Sequence, residues 1–139
     1  MRKFYLKIVL VRTLYDSNIG ATARAMTNMG AEDLILIAPQ CEITLKAHQS
    51  AATGQKPLEN RKVYSSWEDF MKTEPDGIRL AFTARDGKGR QVREYSECLN
   101  WLQKNDPQMT DTAAEPLPIY LIFGPEDWGL STDDLEYSH

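Results

Sequence analysis

The sequence predicts an α/β fold: a mostly parallel sheet with helices on both faces. Three observations predict it. Short runs rich in β-branched and aromatic residues recur at Phe4 to Val11, Asp33 to Ala38, Ile78 to Thr83 and Ile119 to Phe123. Segments of helical spacing separate these runs, and alternating strands and helices build parallel sheets covered on both sides. The length, 139 residues, is that of one domain, which buries roughly two thirds of its unfolded surface and holds a core without staples.

Phe4 to Val11 reads as a strand buried on both faces. Arg12 to Asn18 is a polar loop. A helix is expected from Ile19 to Met29, with Ser17 or Asn18 as its N-cap and Gly30 as its stop. Ala21, Ala25, Met26 and Met29 give that helix one apolar stripe. Asp33 to Ala38 is the second strand, closed by Pro39. Leu45 to Thr53 is helical in pattern and stops at Gly54. Arg61 to Tyr64 is a short strand. Ser66 opens the next helix in the manner of a capping box, with Asp69 three residues on. Ile78 to Thr83 is a strand, and Tyr95 to Lys104 a helix with Leu99 and Leu102 facing inward. Asp106 to Pro118 is a polar, Pro-containing connection expected to be exposed. Ile119 to Phe123 is the last strand, and a short helix begins near Ser131.

Composition narrows the function. Apolar residues make up 42% and charged residues 26%, ordinary for a soluble globular protein. No apolar run reaches the roughly 20 residues that span a bilayer. Lys7 interrupts the first run and no small-residue cleavage site follows, so the N-terminus is not read as a signal peptide and a cytoplasmic location is expected. Cys41 and Cys98 form no CxxC pair, and His48 and His139 are scattered, so ordinary thiols and no metal site are expected. The net charge of −4 speaks against a positively coated protein that binds nucleic acid indiscriminately. Basic residues are nonetheless denser in the first two thirds and acids late, which leaves room for a local basic face.

In parallel sheets, ligands bind beyond the carboxyl ends of the strands. The loops after Val11, Phe82 and Phe123 are therefore the candidate site. The first carries Asn18, Gly20 and Arg24. Gly20 and Arg24 are four apart and share a helix face. Gly20 lets another backbone or a substrate come close, and Arg24 offers a planar fork suited to phosphate. Read alone, this is also a capped helix with a surface arginine. The second is Phe82-Thr83-Ala84-Arg85, followed by the basic turn Asp86-Gly87-Lys88-Gly89-Arg90. It is neither a dinucleotide fingerprint nor a P-loop. The third is Phe123-Gly124-Pro125-Glu126-Asp127-Trp128-Gly129-Leu130. Its sharp Gly-Pro turn can offer backbone groups to an adenine or ribose, with Glu126 as a nearby carboxylate. It is equally a tight turn with Trp128 packed on the core.

Together these segments resemble the SPOUT superfamily of RNA methyltransferases, in particular the SpoU/TrmH group and its TrmJ-like branch. The resemblance rests on Val9 to Thr13, Asn18-Ile19-Gly20-Ala21-Thr22-Ala23-Arg24-Ala25-Met26, Asn28 to Gly30, Asp33 to Ile37, Thr83-Ala84-Arg85 and Phe123 to Ser131. It implies an α/β fold with a C-terminal trefoil knot, a homodimer, S-adenosylmethionine as methyl donor, and methyl transfer to a ribose 2′-hydroxyl of tRNA or rRNA. By that resemblance Arg24, Asn18 and Glu126 are the catalytic candidates. Phe82, Thr83, Ala84 and Gly124 match donor-binding positions. Arg12, Arg85, Lys88 and Arg90 are the candidate substrate-binding cations. A guanidinium keeps its proton to about pH 12 or beyond, so Arg24 is better suited to gripping a phosphate and polarising the hydroxyl than to acting as a base. The family's third motif, a Ser/Asn-Leu-Asn segment opening a final helix, falls downstream of Leu130, and the chain as given stops at His139 without it. One domain lacking that knot motif, with weak or absent donor binding by residues 1–139, is therefore the expectation. The other readings are a non-catalytic module of the same fold that binds RNA or a partner, and a flavodoxin-like nucleotide-binding domain.

Overall fold

The computed structural model describes residues 2–82, 104, 106–110 and 115–139. Five strands run β1 (Phe4–Val11), β2 (Asp33–Ile37), β3 (Lys62–Tyr64), β4 (Ile78–Phe82) and β5 (Leu117–Phe123). They form one sheet in the order β3-β2-β1-β5-β4, every pair parallel. This is the expected fold class, with strand bounds within two residues of the expected ones. The expected helix from Tyr95 to Lys104 lies, Lys104 apart, outside the described residues.

Alternation along the strands sorts side chains onto two faces. On one face Ile8, Leu10, Leu34, Leu36, Ile119 and Leu121 pack against α1 (Asp16–Met29), α2 (Leu45–Ala51) and α3 (Gln55–Glu59). On the other, Val9, Val11, Ile35, Ile37, Tyr120 and Ile122 pack against Trp67 and Phe70 of α4 (Trp67–Thr73) and against Leu130 and Leu135. Leu135 belongs to α6 (Thr132–Glu136). Lys7 shares this second face and is 5% exposed. Its charge is met by Glu74 at 2.8 Å. Glu74 also accepts from the Tyr64 hydroxyl, so the buried charges at the amino end of the sheet are paired.

Helix α1 departs from expectation in two ways. It begins at Asp16, and its N-cap is Tyr15, which makes no side-chain cap bond; neither Ser17 nor Asn18 caps it. Its first turn is instead anchored by the Asp16 carboxylate, which accepts from the Thr44 amide at 2.8 Å and the Thr44 hydroxyl at 2.6 Å. Its buried side is Asp16, Ile19, Gly20, Ala23 and Met26. Of the expected stripe only Met26 is inside; Ala21 and Ala25 face solvent and Met29 is 67% exposed. The cause is backbone approach. A Cβ on Gly20 would stand 2.0 Å from the Ala47 carbonyl oxygen. Small residues therefore choose the face that α2 covers, and the close neighbour of Gly20 is a helix backbone rather than a substrate. Gly30 ends the helix in the left-handed region, at φ 78°, as expected.

Other differences are local. The pattern from Leu45 to Thr53 breaks at Ala52, where φ is 47°, into a 3-10 turn (Ala52–Gly54) followed by α3. Ser66 accepts from the Asp69 amide, but the Asp69 carboxylate bonds Ser65, so the box is half made. A full capping box occurs instead at Ser131 and Asp134, opening α6. The connection before β5 is not wholly exposed: it contains α5 (Pro107–Thr110), whose Met109 is completely buried in the α1-side core.

Topology sets the site. From β1 the chain steps outward to β2 and β3, then appears at the opposite edge as β4 and returns as β5 beside β1. The order thus reverses between β1 and β5, the kind of switch point at which parallel sheets bind ligands. Arg12 and Ala38, the residues just past β1 and β2, take φ of 50° and 47°. Their amides continue the ladder to Ile37 and Tyr64 at 2.8 Å. The chain therefore turns off the sheet abruptly at its carboxyl edge. Among the described residues no helix is long and apolar enough to cross a membrane.

Candidate functional site at the β1–β5 switch point

The loops leaving β1 and β5 are joined by one carboxylate. Glu126 accepts from the Leu14 amide, the Tyr15 amide and the Asn18 side-chain amide, each at 2.9 Å. Burial alone would raise its carboxyl; these donors outweigh burial and hold it below the usual glutamate range. Glu126 is thus ionised at neutral pH, with both oxygens engaged. It brackets the amino end of α1, where a negative charge also meets the positive end of the helix dipole. This narrows the sequence expectation of a catalytic acid: the group holds a loop in place. Asn18 spends its amide nitrogen on Glu126, which fixes the side chain and leaves its carbonyl oxygen to accept a hydrogen from a ligand.

A second carboxylate from the same stretch grips the start of the β1 loop. Asp134 accepts both forks of Arg12, at 3.0 and 2.7 Å. It also takes the Trp67 indole N–H at 2.9 Å and the Ser131 amide at 2.8 Å. Its side chain is 2% exposed. Burial pushes its carboxyl up, and the Arg12, Trp67 and Ser131 donors more than reverse this, taking it down to about 2. Arg12, expected as a substrate-binding cation, has both arms of its fork on Asp134 and forms half of an internal ion pair.

Arg24 lies two turns along α1 from Asn18, exposed, and with no hydrogen bond or ion pair to any described residue. Its guanidinium is therefore available. Phe82 and Phe123, at the ends of β4 and β5, stack with ring centroids 4.8 Å apart. Gly124 follows directly. A Cβ there would fall 2.3 Å from the Gly129 carbonyl carbon and the Leu130 nitrogen, so glycine is what lets the loop fold back on itself. The Gly129 amide closes the turn on the Pro125 carbonyl at 2.9 Å. Trp128 is not packed on the core; it is 73% exposed. The structure thus brings together Asn18, Glu126, Gly124 and Phe82 at one edge of the sheet. Thr83, Ala84, Arg85, Lys88, Arg90 and Cys98 lie outside the described residues. Cys41 is a free, half-buried thiol. Burial, then the charges of Asp16 and Glu126, push its pKa up and away from reactivity. Among the described residues no group of three metal-ligating side chains occurs.

Sequence reasoning missed two participants. Asp134 left no signal, because its partner Arg12 is 122 positions away. Tyr15 did leave one: an aromatic residue inside a polar loop, which on the structure is 60% exposed.

Fold and site together define a parallel α/β sheet whose candidate site lies at the topological switch point. The pattern of the SpoU rRNA methylase family matches residues 5–139, and the chain belongs to that family. Among its relatives is the tRNA (cytidine/uridine-2′-O-)-methyltransferase TrmJ of Pectobacterium atrosepticum, 30% identical over 137 residues, which span 96% of this chain and 52% of that protein. The tRNA (cytidine-2′-O-)-methyltransferase TrmJ of Methanocaldococcus jannaschii is 25% identical over 132 residues, covering 94% and 54%. Among solved structures, TrmJ of Z. mobilis superposes with a TM-score of 0.70 at 26% identity, covering 95% of this chain and 55% of that one. A probable methyltransferase from Bordetella pertussis reaches 0.79 at 21% identity, over 98% and 78%, a likeness of fold alone. The chain spans about half the length of the curated relatives it matches.

Proposed function

We propose that this chain carries the substrate side of an S-adenosylmethionine-dependent RNA ribose 2′-O-methyltransferase acting on tRNA or rRNA. The observation that supports this best is the Glu126 bracket. It fixes the Asn18 side chain beside the Gly124 turn, while Arg24 on the same helix stays unpaired.

The described residues suit the donor's chemistry. Phe82 and Phe123 offer a half-buried aromatic surface to an adenine, and the acidic stretch Glu126-Asp127 suits a cationic sulfonium. Phe82, Gly124 and, by resemblance, Thr83 and Ala84 would hold it. When bound, the sulfonium supplies an activated methyl group and its own driving force. The protein's task is then alignment and charge. Arg24 grips the phosphate beside the target ribose with its fork and polarises the 2′-hydroxyl. The Asn18 carbonyl oxygen accepts from that hydroxyl and orients its lone pairs; as the hydroxyl oxygen bonds the methyl carbon and the donor's carbon–sulfur bond breaks, the hydroxyl proton would pass to the phosphate that Arg24 grips and from there to water. Glu126 and the Arg12–Asp134 pair hold the β1 loop so that both groups keep their places.

A homodimer fits the exposed face of α1, where Ala21, Ala25 and Met29 present apolar surface outward. The activity is tested by tritiated methyl transfer from S-adenosylmethionine to bulk tRNA and rRNA, using the full-length protein. Transfer that is lost on removing the donor or the RNA supports the reading. RNA binding without transfer favours the non-catalytic module.

A further inference from the structure

We propose that Tyr15 and Trp128 form a stacking platform for an unpaired nucleobase of the RNA beside the reacting ribose; this rests on the RNA-methyltransferase reading above. Among the described residues they are the two aromatic side chains more than half exposed, at 60% and 73%. They sit on the two loops that Glu126 ties together. The Tyr15 amide donates to Glu126 and its carbonyl accepts from the Asn18 amide at 3.0 Å. Trp128 stands inside the turn closed by Gly129 and Pro125. Both rings are thus carried on pinned backbone, so little conformational freedom is lost when a ligand covers them.

Their surroundings select the kind of ligand. Asp127 precedes Trp128 and Glu126 lies one residue further back, both exposed. Two carboxylates repel a phosphodiester backbone, so the phosphates are left to Arg24 and the rings meet a base face. Unstacked bases splayed onto aromatic side chains are the usual mode of single-stranded RNA recognition, and the contact tolerates any base. Base-paired RNA, whose faces are already stacked, gains nothing from such a platform.

The test measures binding of the whole gene product to a short labelled single-stranded RNA and to the matching duplex. Trp128→Ala and Tyr15→Ala should each weaken single-strand binding by about tenfold or more. Trp128→Phe should restore most of it, and duplex binding and S-adenosylmethionine affinity should stay within about twofold. Both side chains are exposed, so the variants fold, and an unchanged melting temperature checks this. Single-strand affinity unchanged in both alanine variants, or no RNA binding by the wild type, overturns the proposal. So does conversion of a dimer to monomer by Trp128→Ala, which would make the platform a protein interface. RNA bound in this way without methyl transfer would leave the platform standing and remove the enzyme reading.

Discussion

Replacing Asp134 by asparagine tests how the two loops of the site are held. The carboxyl is taken from the ordinary aspartate value of 3.8 to about 2. At 1.36 kcal/mol per pH unit this corresponds to about 2.5 kcal/mol of stability. The carboxylate is the depressed partner, so that stability is fully present above about pH 4 and is lost as pH falls toward 2. The side chain is 2% exposed, so solvent screening takes little of it away. Asparagine has one acceptor oxygen for the four N–H groups from Arg12, Trp67 and Ser131, and its own NH2 would face donors. Asp134→Asn should cost about 3 kcal/mol at pH 7, at the low end for a broken buried pair because Arg12 keeps some water. Arg12→Ala should cost about 2 kcal/mol, and the double variant should recover about 1.5 kcal/mol of the sum. Urea unfolding followed by circular dichroism measures all four corners. A coupling below about 0.5 kcal/mol, or a wild-type advantage over Asp134→Asn that does not shrink from pH 5 to below pH 3, would refute the reasoning.

Three further outcomes follow from the same geometry. Gly20→Ala places a methyl 2.0 Å from the Ala47 carbonyl oxygen and should cost about 2–3 kcal/mol, read as a fall of several degrees in melting temperature; an unchanged melt would mean that α1 and α2 are not in close contact. Glu126→Gln should destabilise by only about 1 kcal/mol, because the site is partly exposed, but cut methyl transfer at least tenfold by releasing Asn18. Since the Glu126 carboxyl is held low, its contribution is present above the ordinary glutamate range and fades as pH falls through it; a variant whose deficit grows toward pH 4 would be at odds with that sign. Ala25→Arg, on the exposed side of α1, should leave the fold intact and turn a dimer into a monomer in sedimentation.

What the sequence made legible was periodic or punctuated. Phe4 to Val11 emerged with its bounds intact because aromatic, aliphatic and β-branched residues fill it with Lys7 as the single polar interruption, and Gly30 stopped α1 by taking up the left-handed conformation there. The side on which α1 is buried was not legible from hydrophobicity, because Ala21, Ala23 and Ala25 are equivalent on that scale. Backbone proximity at Gly20 decided it. The N-cap was misplaced for a similar reason: Ser17 and Asn18 are good caps locally, but Glu126 of the neighbouring β5 loop holds the Leu14 and Tyr15 amides, and the helix starts right behind them at Asp16. At the candidate site, Asn18, Glu126 and Gly124 were singled out from their motifs. Their mutual roles, a bracket and a fold-back, needed the topology that puts β5 beside β1. Arg12 looked like a surface cation because its partner comes from a helix 122 residues later.

The proposed chemistry is methyl transfer to a ribose hydroxyl, with Arg24 as the phosphate-gripping residue. The whole gene product, incubated with S-adenosylmethionine and total tRNA and rRNA and analysed by nucleoside mass spectrometry, tests it most directly. A 2′-O-methylated nucleoside should appear and should disappear almost entirely with Arg24→Lys, because the ammonium keeps the charge but loses the fork. A methyl group on a base, or near-normal ribose methylation by Arg24→Lys, would contradict it.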